Sequence, residues 1–404
     1  MGQKNGPAKW RGWVRKLLQV GDASAHSVWV MRHQTAGNVP AETPRPLRVG
    51  LVSSVGGHLK ELLELLPILL RCDVFLVLND VAPWLSPDAL PSQPILRRYR
   101  ITHAERDLRQ LVNLGQAAQL LVCERPDLLI STGASPAVPF FLLGRALGIQ
   151  TLFIEDFNLV EQPSLTARLV YPLSHHFFVQ WPQLLSTFPR ARYAGSLFSP
   201  SVGVSQSSSA RDASAATDEP RLFVALGTSD RPMTRVLRWI DALIAAGDLK
   251  GSVLVQGASG GYQPAGFRLV PMLPEPELLQ HLRSAQHIVC HGGCGVLGSC
   301  MKLGRRPIAI PRRADAGEAI NDHQIMLCRA LSKEGQATLC QSQDDLKAAL
   351  ALPEVPPHQP VAEPGLGASD STGRRPGDPS PSLLSAVAQI LADLARQKGR
   401  RPTV

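Results

Sequence analysis

A glycine turn followed by a histidine stands between an apolar strand and a leucine-rich helix in LVSSVGGHLKELLEL, residues 51–65. Such a turn leaves the first backbone N–H groups of the helix free beside the positive end of its dipole, and these groups bind anions such as phosphate. His58 could take a proton from a hydroxyl group or donate a hydrogen bond to a bound diphosphate. Since glycine turns also occur in α/β proteins that bind no ligand there, the other motifs must decide.

A carboxylate at the end of another predicted strand is the rival for the role of base. Glu155 lies in FIEDF, residues 153–157, and strand ends are where α/β proteins place their ligands. The alternative for Glu155 is an ion pair with a neighbouring arginine, and Asp156 is a weaker candidate than Glu155. We therefore predict His58 and Glu155 as the catalytic residues.

Glycine-rich strand ends recur in the C-terminal half and predict a phosphate site there. VALGTSDRPM (224–233) ends a strand in a glycine and two hydroxyl residues, and IVCHGGCGVLGSCMKLG (288–304) ends a buried strand in a histidine and glycines. Glycines let a ligand approach the backbone closely, and N–H groups and hydroxyls hold phosphate oxygens. The predicted donor-binding residues at these strand ends are Gly227, Thr228, Ser229, Gly257, His291, Gly292, Gly293 and Gly295.

A polar segment, IPRRADAGEAINDHQ (310–324), follows the next predicted strand. Carboxylates and amides bind sugar hydroxyls, whereas arginines bind a pyrophosphate or an acidic sugar. We predict five donor-binding residues in it: Arg312, Glu318, Asn321, His323 and Gln324. Arg312 and Arg313 together favour an acidic sugar, such as a glucuronate, over a neutral one.

Metal-ligand residue types also occur near the second glycine loop, at His287, Cys290, His291 and Cys294. A zinc site would need them on one face, but Cys290 should end a buried strand and the glycines favour a loop. The chain also has no Asp-x-Asp motif, which fits stabilisation of a diphosphate by helix dipoles and cations instead of Mg²⁺. We therefore predict that no metal and no cofactor is required.

The elements that position these loops are short apolar runs separated by helical stretches, which predict parallel sheets covered on both faces. The pattern runs twice and predicts two doubly wound α/β domains facing a cleft. The predicted organisation is a basic arm (1–46), a first Rossmann-like domain (47–198), a Ser/Ala-rich linker (199–220), a second, nucleotide-sugar-binding domain (221–352), a disordered Pro/Gly-rich segment (353–382) and a C-terminal helix with a basic tail (383–404).

Charge and composition indicate which classes of partner the chain binds. The formal net charge is +9, which favours nucleic acid, phosphorylated substrates or anionic lipid. Aromatic residues make up only 5% of the chain, and no zinc-finger, RNP or basic-zipper pattern occurs, so nucleic acid is excluded. No apolar run reaches the roughly 20 residues of a membrane span. WRGWVRKLLQV (10–20) is typical of an interfacial helix on an anionic membrane or of a loosely docked arm.

Cysteine usage and the N-terminus indicate the compartment. Seven cysteines are scattered through apolar segments, which favours a reducing cytosol over a disulfide framework. The N-terminal sequence has no long apolar region of a secretory signal. We expect the protein at the cytoplasmic face of the inner (plasma) membrane as a peripheral protein.

Motifs in both halves of the chain resemble those of a known protein family and follow in the same order. HGGCG followed by GEAINDHQ resembles the H-a-G-a-G … g-E-x-x-x-N-H-Q pattern of MurG-like GT-B glycosyltransferases. It is more similar still to the catalytic subunit of the two-subunit UDP-GlcNAc transferase of dolichol-linked oligosaccharide synthesis, whose bacterial counterparts make exopolysaccharides. SSVGGHLKELLEL, PDLLISTGASPAVP, LFIEDFNLVEQPSLTARLVYPLSHHFFVQWPQL and YAGSLF resemble the acceptor-side partner subunit. The resemblance covers roughly residues 48–198 and 221–340 and indicates both subunits fused in one chain.

This resemblance implies an inverting transferase with a GT-B fold. It implies a UDP-sugar on the second domain and a polyprenyl-diphosphate-linked saccharide presented by the first domain at a membrane. The acceptor-binding residues it suggests are Ser54, Gly56, Gly57, Gly133 and Arg168. The chain departs from the pattern in lacking the spanning N-terminal anchor, in its Pro/Gly tail, and in having Ser299 where related enzymes use a glutamate to hold the ribose, which shifts that role to Glu318.

The function predicted from the sequence is therefore transfer of a sugar from a UDP-sugar to a lipid-linked saccharide in exopolysaccharide or capsule assembly. Two alternatives stay open: a UDP-sugar epimerase of the same architecture, and a non-catalytic nucleotide-sugar-binding or scaffold protein.

Overall fold

The structure, a computed structural model, describes residues 45–79, 95–103, 109–199, 220–227, 229, 231–352 and 382–399, with the backbone alone at 30–32, 95 and 96. Several sequence predictions concern residues outside this set. They are the Trp10–Val20 helix, nearly all of the 199–220 linker, the 353–381 segment, the end of the basic tail and Thr228.

The chain divides into two compact units. The first comprises Met1–Asp156, Gln162–Leu197 and Leu383–Val404, and the second comprises Phe157–Glu161 and Phe198–Ser382. A short segment after Asp156 thus belongs to the second unit, and the C-terminal helix belongs to the first.

The first unit is built on an eight-stranded sheet in the order β1-β4-β3-β2-β5-β6-β7-β8, parallel except for the pairing of β1 with β4. Its strands are β1 (Val30–Arg32), β2 (Arg48–Ser53), β3 (Asp73–Leu78), β4 (Ile95–Arg100), β5 (Leu128–Ser131), β6 (Gln150–Ile154), β7 (His176–Val179) and β8 (Arg192–Tyr193). Its helices are α1 (Gly57–Leu63), α2 (Arg109–Glu124), α3 (Ala137–Ala146) and α4 (Leu165–Val170), with single 3₁₀ turns at Leu66–Leu69, Tyr171–Leu173 and Pro182–Ser186.

The second unit carries a six-stranded, all-parallel sheet in the order β11-β10-β9-β12-β13-β14. Its strands are β9 (Leu222–Ala225), β10 (Val253–Gln256), β11 (Arg268–Val270), β12 (His287–His291), β13 (Ile308–Ile310) and β14 (Thr338–Leu339). Its helices are α5 (Thr234–Ala245), α6 (Glu275–Ser284), α7 (Cys294–Lys302), α8 (His323–Lys333) and α9 (Gln343–Ala351).

Burial on both faces explains why the central strands read as unbroken apolar runs. All six residues of β3 and all four residues of β5 and β9 are buried, as parallel sheets require when helices cover both sides. The predicted α/β class with two doubly wound Rossmann-like domains is confirmed.

The last helix, α10 (Leu383–Gly399), packs on the first unit. Its buried side chains recur with helical period and join the core formed by β2, β3, β5 and β6, and Lys398 forms an ion pair with Asp127 (2.6 Å). Burying such a stripe is the main stabilisation of a surface helix. Within the described residues, no helix is both long and apolar enough to cross a bilayer. All seven cysteines are free thiols.

Candidate active site

Three strand ends of the first unit meet because β2, β5 and β6 are neighbours in a parallel sheet. The glycine turn follows β2, Thr132 and Gly133 follow β5, and Glu155 and Asp156 follow β6. The turn itself depends on Gly56, whose φ of 100° is strained for any residue with a side chain. Gly57 then begins α1, which carries His58 in its first turn.

The His58 ring is held by its Nδ1 atom. This atom lies 3.2 Å from the carbonyl oxygen of Thr132 and 3.4 Å from Oδ2 of Asp156, while the Thr132 hydroxyl donates to the His58 carbonyl at 2.7 Å. Both neighbours of Nδ1 are acceptors, so the neutral ring carries its proton on Nδ1 and its lone pair on Nε2. That tautomer can accept a proton from a hydroxyl group.

Gly133 lies against this ring. It has a φ of 134°, and a Cβ atom there would come within 2.8 Å of the imidazole. The absence of a side chain at Gly133 is therefore what lets His58 occupy its place at the strand end. The structure gives Gly133 a packing role beside His58, which the resemblance alone had not indicated.

Glu155 faces away from solvent. It has no exposed surface, and its two oxygens accept from the Asp156 N–H (3.0 Å), from the Ser164 N–H (3.1 Å) and from the Ser164 hydroxyl (3.0 Å). Ser164 in turn caps α4 by accepting from the Ala167 N–H at 2.9 Å. Glu155 thus organises the loop after β6, and Asp156, ranked below it on sequence, is the carboxylate that contacts His58.

Burial raises the pKa of Glu155 to about 7. A carboxyl group with a higher pKa in the folded than in the unfolded protein contributes full stability below about pH 4.5, and that contribution is lost as the pH rises through 7. We expect this group to lower the free energy of unfolding by up to about 3 kcal/mol between pH 4.5 and pH 8. Denaturant unfolding of E155Q should show a flatter pH dependence than wild type, whereas the exposed-site control E161Q should match wild type. Identical slopes for E155Q and wild type would refute the assignment.

One further carboxylate lies close to the Asp156 side chain that contacts the histidine. Glu61, one turn after His58 on α1, is wholly buried, and an oxygen of Glu61 and one of Asp156 lie within 4.8 Å of each other. Buried negative charge beside an imidazole stabilises the imidazolium that forms when the ring takes a proton.

The remaining acceptor-side candidates lie apart from this cluster of contacts. Ser54 is half-buried, and its carbonyl accepts from the Ser53 hydroxyl at 2.9 Å. Arg168 is exposed on α4 together with Leu165 and Leu169.

The second unit repeats the arrangement of a histidine against a glycine. The Nδ1 atom of His291 lies 3.2 Å from the carbonyl oxygen of Ala225 on the neighbouring strand. A Cβ atom at Gly227, whose φ is 80°, would lie 2.7 Å from the His291 ring, and one at Gly293 would lie 2.4 Å from its Nε2 atom. Both glycines are therefore required by the position of the imidazole at the ends of β9 and β12.

Gly293 is also the N-cap residue of α7 and offers no side chain to its first turn. The first N–H of that helix, on Cys294, donates to Oδ1 of Asn158 at 3.2 Å. Asn158 belongs to the short segment assigned to the second unit, and the motif that contains it assigned it no role. Beside this Asn158 contact, the N-terminus of α7 combines the helix dipole with an N-cap glycine that has no side chain, which suits a diphosphate.

The other glycines of the set pack against neighbouring elements. A Cβ atom at Gly292 would lie 2.6 Å from the Cys328 sulfur, and one at Gly257 would lie 2.8 Å from Leu226. The Gly295 carbonyl accepts from the Ser299 hydroxyl at 2.9 Å. Ser299 is thus engaged within α7.

The polar segment after β13, predicted to bind the ligand, forms many hydrogen bonds within the protein. Arg312 is only 4% exposed, and its guanidinium donates to the carbonyl oxygens of Leu226 (2.7 Å), Glu318 (3.0 Å) and Arg231. These contacts give Arg312 a structural role, and its contact with a diphosphate or a sugar carboxylate stays a prediction.

The Glu318 side chain is also engaged by other residues of the protein. It is 3% exposed, and both of its oxygens accept from the Arg235 guanidinium, at 2.8 and 3.1 Å. One of them also accepts from the Arg313 N–H at 3.2 Å. The carboxylate that sequence reasoning assigned to the ribose therefore anchors the loop to α5 through Arg235, a residue in no recognised motif.

The remaining polar residues of the set lie at the surface or at the start of α8. Asn321 is exposed and accepts from the His323 N–H at 3.3 Å, and Gln324 accepts from the Arg312 N–H at 3.1 Å. The half-buried Ser229 accepts from the Arg231 N–H at 3.2 Å. Arg313 is exposed and paired with Asp315.

The metal-ligand residue types near β12 do not converge. Among the described residues, no three of His287, Cys290, His291 and Cys294 bring ligand atoms within 4.8 Å of one another. Burial also raises the pKa of the Cys290 thiol well above its usual value, which disfavours the thiolate that zinc requires.

Comparison with known proteins relates both parts of the chain to sugar transferases. A family model described as "Oligosaccharide biosynthesis protein Alg14 like" matches residues 105–197. The chain is 32% identical over 77 residues to the UDP-N-acetylglucosamine transferase subunit ALG14 of Rattus norvegicus, covering 18% of this chain and 36% of that protein. The chain therefore spans about a third of the length of that relative.

A longer match is to the UDP-N-acetylglucosamine–N-acetylmuramyl-(pentapeptide) pyrophosphoryl-undecaprenol N-acetylglucosamine transferase of Desulforudis audaxviator. It is 26% identical over 336 residues and covers 78% of this chain and 85% of the other. These matches confirm the relationship indicated by the motifs.

Solved structures agree on the fold. MurG of Acinetobacter baumannii aligns with a TM-score of 0.51 at 18% identity, over 76% of this chain and 89% of that chain. The UDP-GlcNAc 2-epimerase of Methanocaldococcus jannaschii aligns with a TM-score of 0.54 at 12% identity, over 86% and 100%. The fold is GT-B, and the fold alone does not separate a transferase from an epimerase.

Proposed function

We propose that this chain, a MurG-like GT-B protein with an Alg14-like segment, is an inverting glycosyltransferase that moves a sugar from a UDP-sugar to a polyprenyl-diphosphate-linked saccharide. The observation that carries this proposal is the orientation of His58. Its Nδ1 atom faces a carbonyl and a carboxylate, which leaves Nε2 as the proton acceptor.

The chemistry follows from that orientation. The acceptor hydroxyl gives its proton to Nε2 of His58 while its oxygen attacks the anomeric carbon of the donor sugar. The bond from that carbon to the diphosphate oxygen breaks, and UDP leaves with the electron pair. Asp156 holds the ring and, with Glu61 nearby, stabilises the imidazolium.

The donor is proposed to bind at the strand ends of the second unit, with its diphosphate at the N-terminus of α7. Gly227 and Gly293 keep the backbone and the His291 ring close together there. Of the proposed donors, UDP-GlcNAc is favoured, because the related transferases carry this sugar in their names and because Arg312 is occupied by carbonyl groups. UDP-glucuronate and UDP-glucose remain the comparison substrates. Exopolysaccharide or capsule assembly is the proposed setting.

An exposed apolar face of the first unit supports peripheral attachment to the cytoplasmic face of the membrane. Leu142 on α3 and Leu165 and Leu169 on α4 are 47–48% exposed, and Arg145 and Arg168 lie on the same two packed helices. Leucines flanked by arginines suit the boundary between acyl chains and anionic headgroups.

We expect L165E/L169E to bind anionic vesicles at least about tenfold more weakly than wild type in a flotation assay. L352E, which places one such charge at an exposed leucine of the second unit, is the control, and it should float like wild type. Equal flotation of the double variant and wild type would remove this face from the membrane contact.

The proposed reaction is tested by incubating the protein with each labelled UDP-sugar and a polyprenyl-diphosphate-linked saccharide, with and without EDTA. We expect label in the lipid product at the same rate in both, because helix dipoles and N–H groups are proposed to stabilise the diphosphate without a metal. Loss of turnover on chelation, restored by Mg²⁺ or Zn²⁺, would contradict metal independence. An epimerised UDP-sugar with no labelled lipid would identify the epimerase, and binding without turnover would identify a scaffold protein.

A further inference from the structure

We propose that Gln180 and Glu61 are positioning residues that hold His58 against Asp156, an inference that rests on the proposed function. The sequence motifs assign no role to either residue, and Gln180 acts through the two neighbours of the His58 contact, Glu61 on the same helix and the Glu155 carbonyl next to Asp156.

Gln180 follows β7 directly and uses every face of its amide. Its Nε2 donates to Oε2 of Glu61 at 2.7 Å and to the carbonyl oxygen of Glu155 at 2.9 Å. Its Oε1 accepts from the Leu197 N–H at 2.9 Å and from the Ser196 hydroxyl at 3.3 Å. The side chain is 2% exposed. A buried amide with four partners fixes the elements that it joins.

Helix α1 needs such an anchor. It has only seven residues, and its N-cap residue, Gly56, provides no side-chain hydrogen bond. A helix of two turns is marginal alone and depends on tertiary contacts. Leu59 and Leu62 bury it in the core, but apolar packing is non-directional. The Glu61–Gln180 hydrogen bond adds direction one turn away from His58.

The Nε2 atom of Gln180 also positions Asp156, the partner of His58. By binding the carbonyl of Glu155, Gln180 fixes the end of β6, and the next residue is Asp156, whose Oδ2 atom lies 3.4 Å from His58. One side chain therefore sets the separation between the helix that carries the base and the strand end that carries its partner. A displacement of about 1 Å in such a contact can cost roughly 10²-fold in rate.

The chemistry of the amide explains why glutamine stands here. The Oε2 atom of Glu61 and the Glu155 carbonyl both accept from position 180, which must therefore donate twice, and the Leu197 N–H requires an acceptor beside those donors. A glutamate at position 180 would place a second carboxylate against Glu61. A leucine would fill the volume and leave a buried carboxylate without this donor.

A swap of the two side chains tests the inference. In steady-state assays at pH 8, we expect Q180L and Q180E to lower kcat by about 10- to 100-fold, with the KM for the UDP-sugar within about twofold of wild type. In E61Q/Q180E the amide at position 61 donates to the carboxylate at position 180, which restores the link to α1 but not the hydrogen bond to the Glu155 carbonyl, so kcat should rise severalfold above Q180E without reaching wild type. Additive losses in the double variant, or an unchanged kcat in Q180L, would overturn the proposal.

A spectroscopic measurement separates failure of this inference from failure of the proposed function. The ¹⁵N resonances of the His58 ring report whether Nδ1 carries the proton and is hydrogen-bonded, whatever reaction the protein catalyses. We expect the Nδ1 signal to lose its hydrogen-bonded character in Q180L and to regain it in E61Q/Q180E. Unchanged His58 resonances in a folded Q180L variant would contradict the positioning role even if wild type proved inactive as a transferase.

Discussion

Replacing His58 with alanine is expected to lower kcat by about 10² to 10⁴-fold with little change in affinity for the UDP-sugar. The reason is that Nε2 is the atom proposed to take the acceptor proton, while the donor is proposed to bind to the second unit. The acidic limb of the pH–rate profile should disappear with the base. If His58 instead only steadied the acceptor diphosphate, H58A would raise the acceptor KM and keep that limb.

Two neighbouring carboxylates provide the controls for H58A. E155Q should be the milder lesion, because both oxygens of Glu155 are engaged by Ser164 and the Asp156 backbone. D156N should fall between them, since Asp156 holds the ring at 3.4 Å but takes no proton from substrate. Loss of the acidic limb in E155Q and its survival in H58A would transfer the role of base to Glu155.

Replacing Gly293 with valine is expected to weaken UDP binding at least about 100-fold, measured by calorimetry. A Cβ atom at this position would lie 2.4 Å from Nε2 of His291, and the same ring also lies against Gly227. The branched side chain would both displace the imidazole and cover the first N–H groups of α7.

The matched control for G293V is G115V. Nothing lies within 4 Å of a Cβ atom at Gly115 on α2, so this change tests the added side chain without a clash. It should leave UDP binding intact. UDP affinity in G293V equal to that of wild type would exclude the α7 N-terminus from the donor site.

The sequence predicts the strands and turns that carry the site, because strand ends and glycine turns depend mainly on residues close together in the sequence. The alternation of apolar runs predicts two parallel-sheet units. The sequence motifs also contain the glycine turn, His58 and Gly133, and in the structure the His58 ring packs against Gly133. The parallel pairing of β2, β5 and β6 then brings their ends together.

The sequence could not predict which hydrogen bonds and ion pairs each polar side chain forms, because the partners are far apart in the sequence. Arg312 and Glu318 have the residue types of ligand-binding groups, but carbonyl groups and Arg235 occupy them. Glu155 and Asp156 are adjacent in sequence, and only the folded chain shows that the first is buried against Ser164 while the second faces His58. Gln180 reaches Glu61 across 119 residues of sequence, a contact that no local pattern indicates.

The most direct test of the account is the rate of UDP release from UDP-GlcNAc with and without a polyprenyl-diphosphate-linked saccharide. The proposed mechanism predicts that UDP forms only when the lipid-linked acceptor is present and in equal amount to the glycosylated lipid, since departure of UDP and attack by the acceptor oxygen are one step. UDP release at the same rate without the acceptor, or conversion of UDP-GlcNAc to its epimer with no lipid product, would contradict the account.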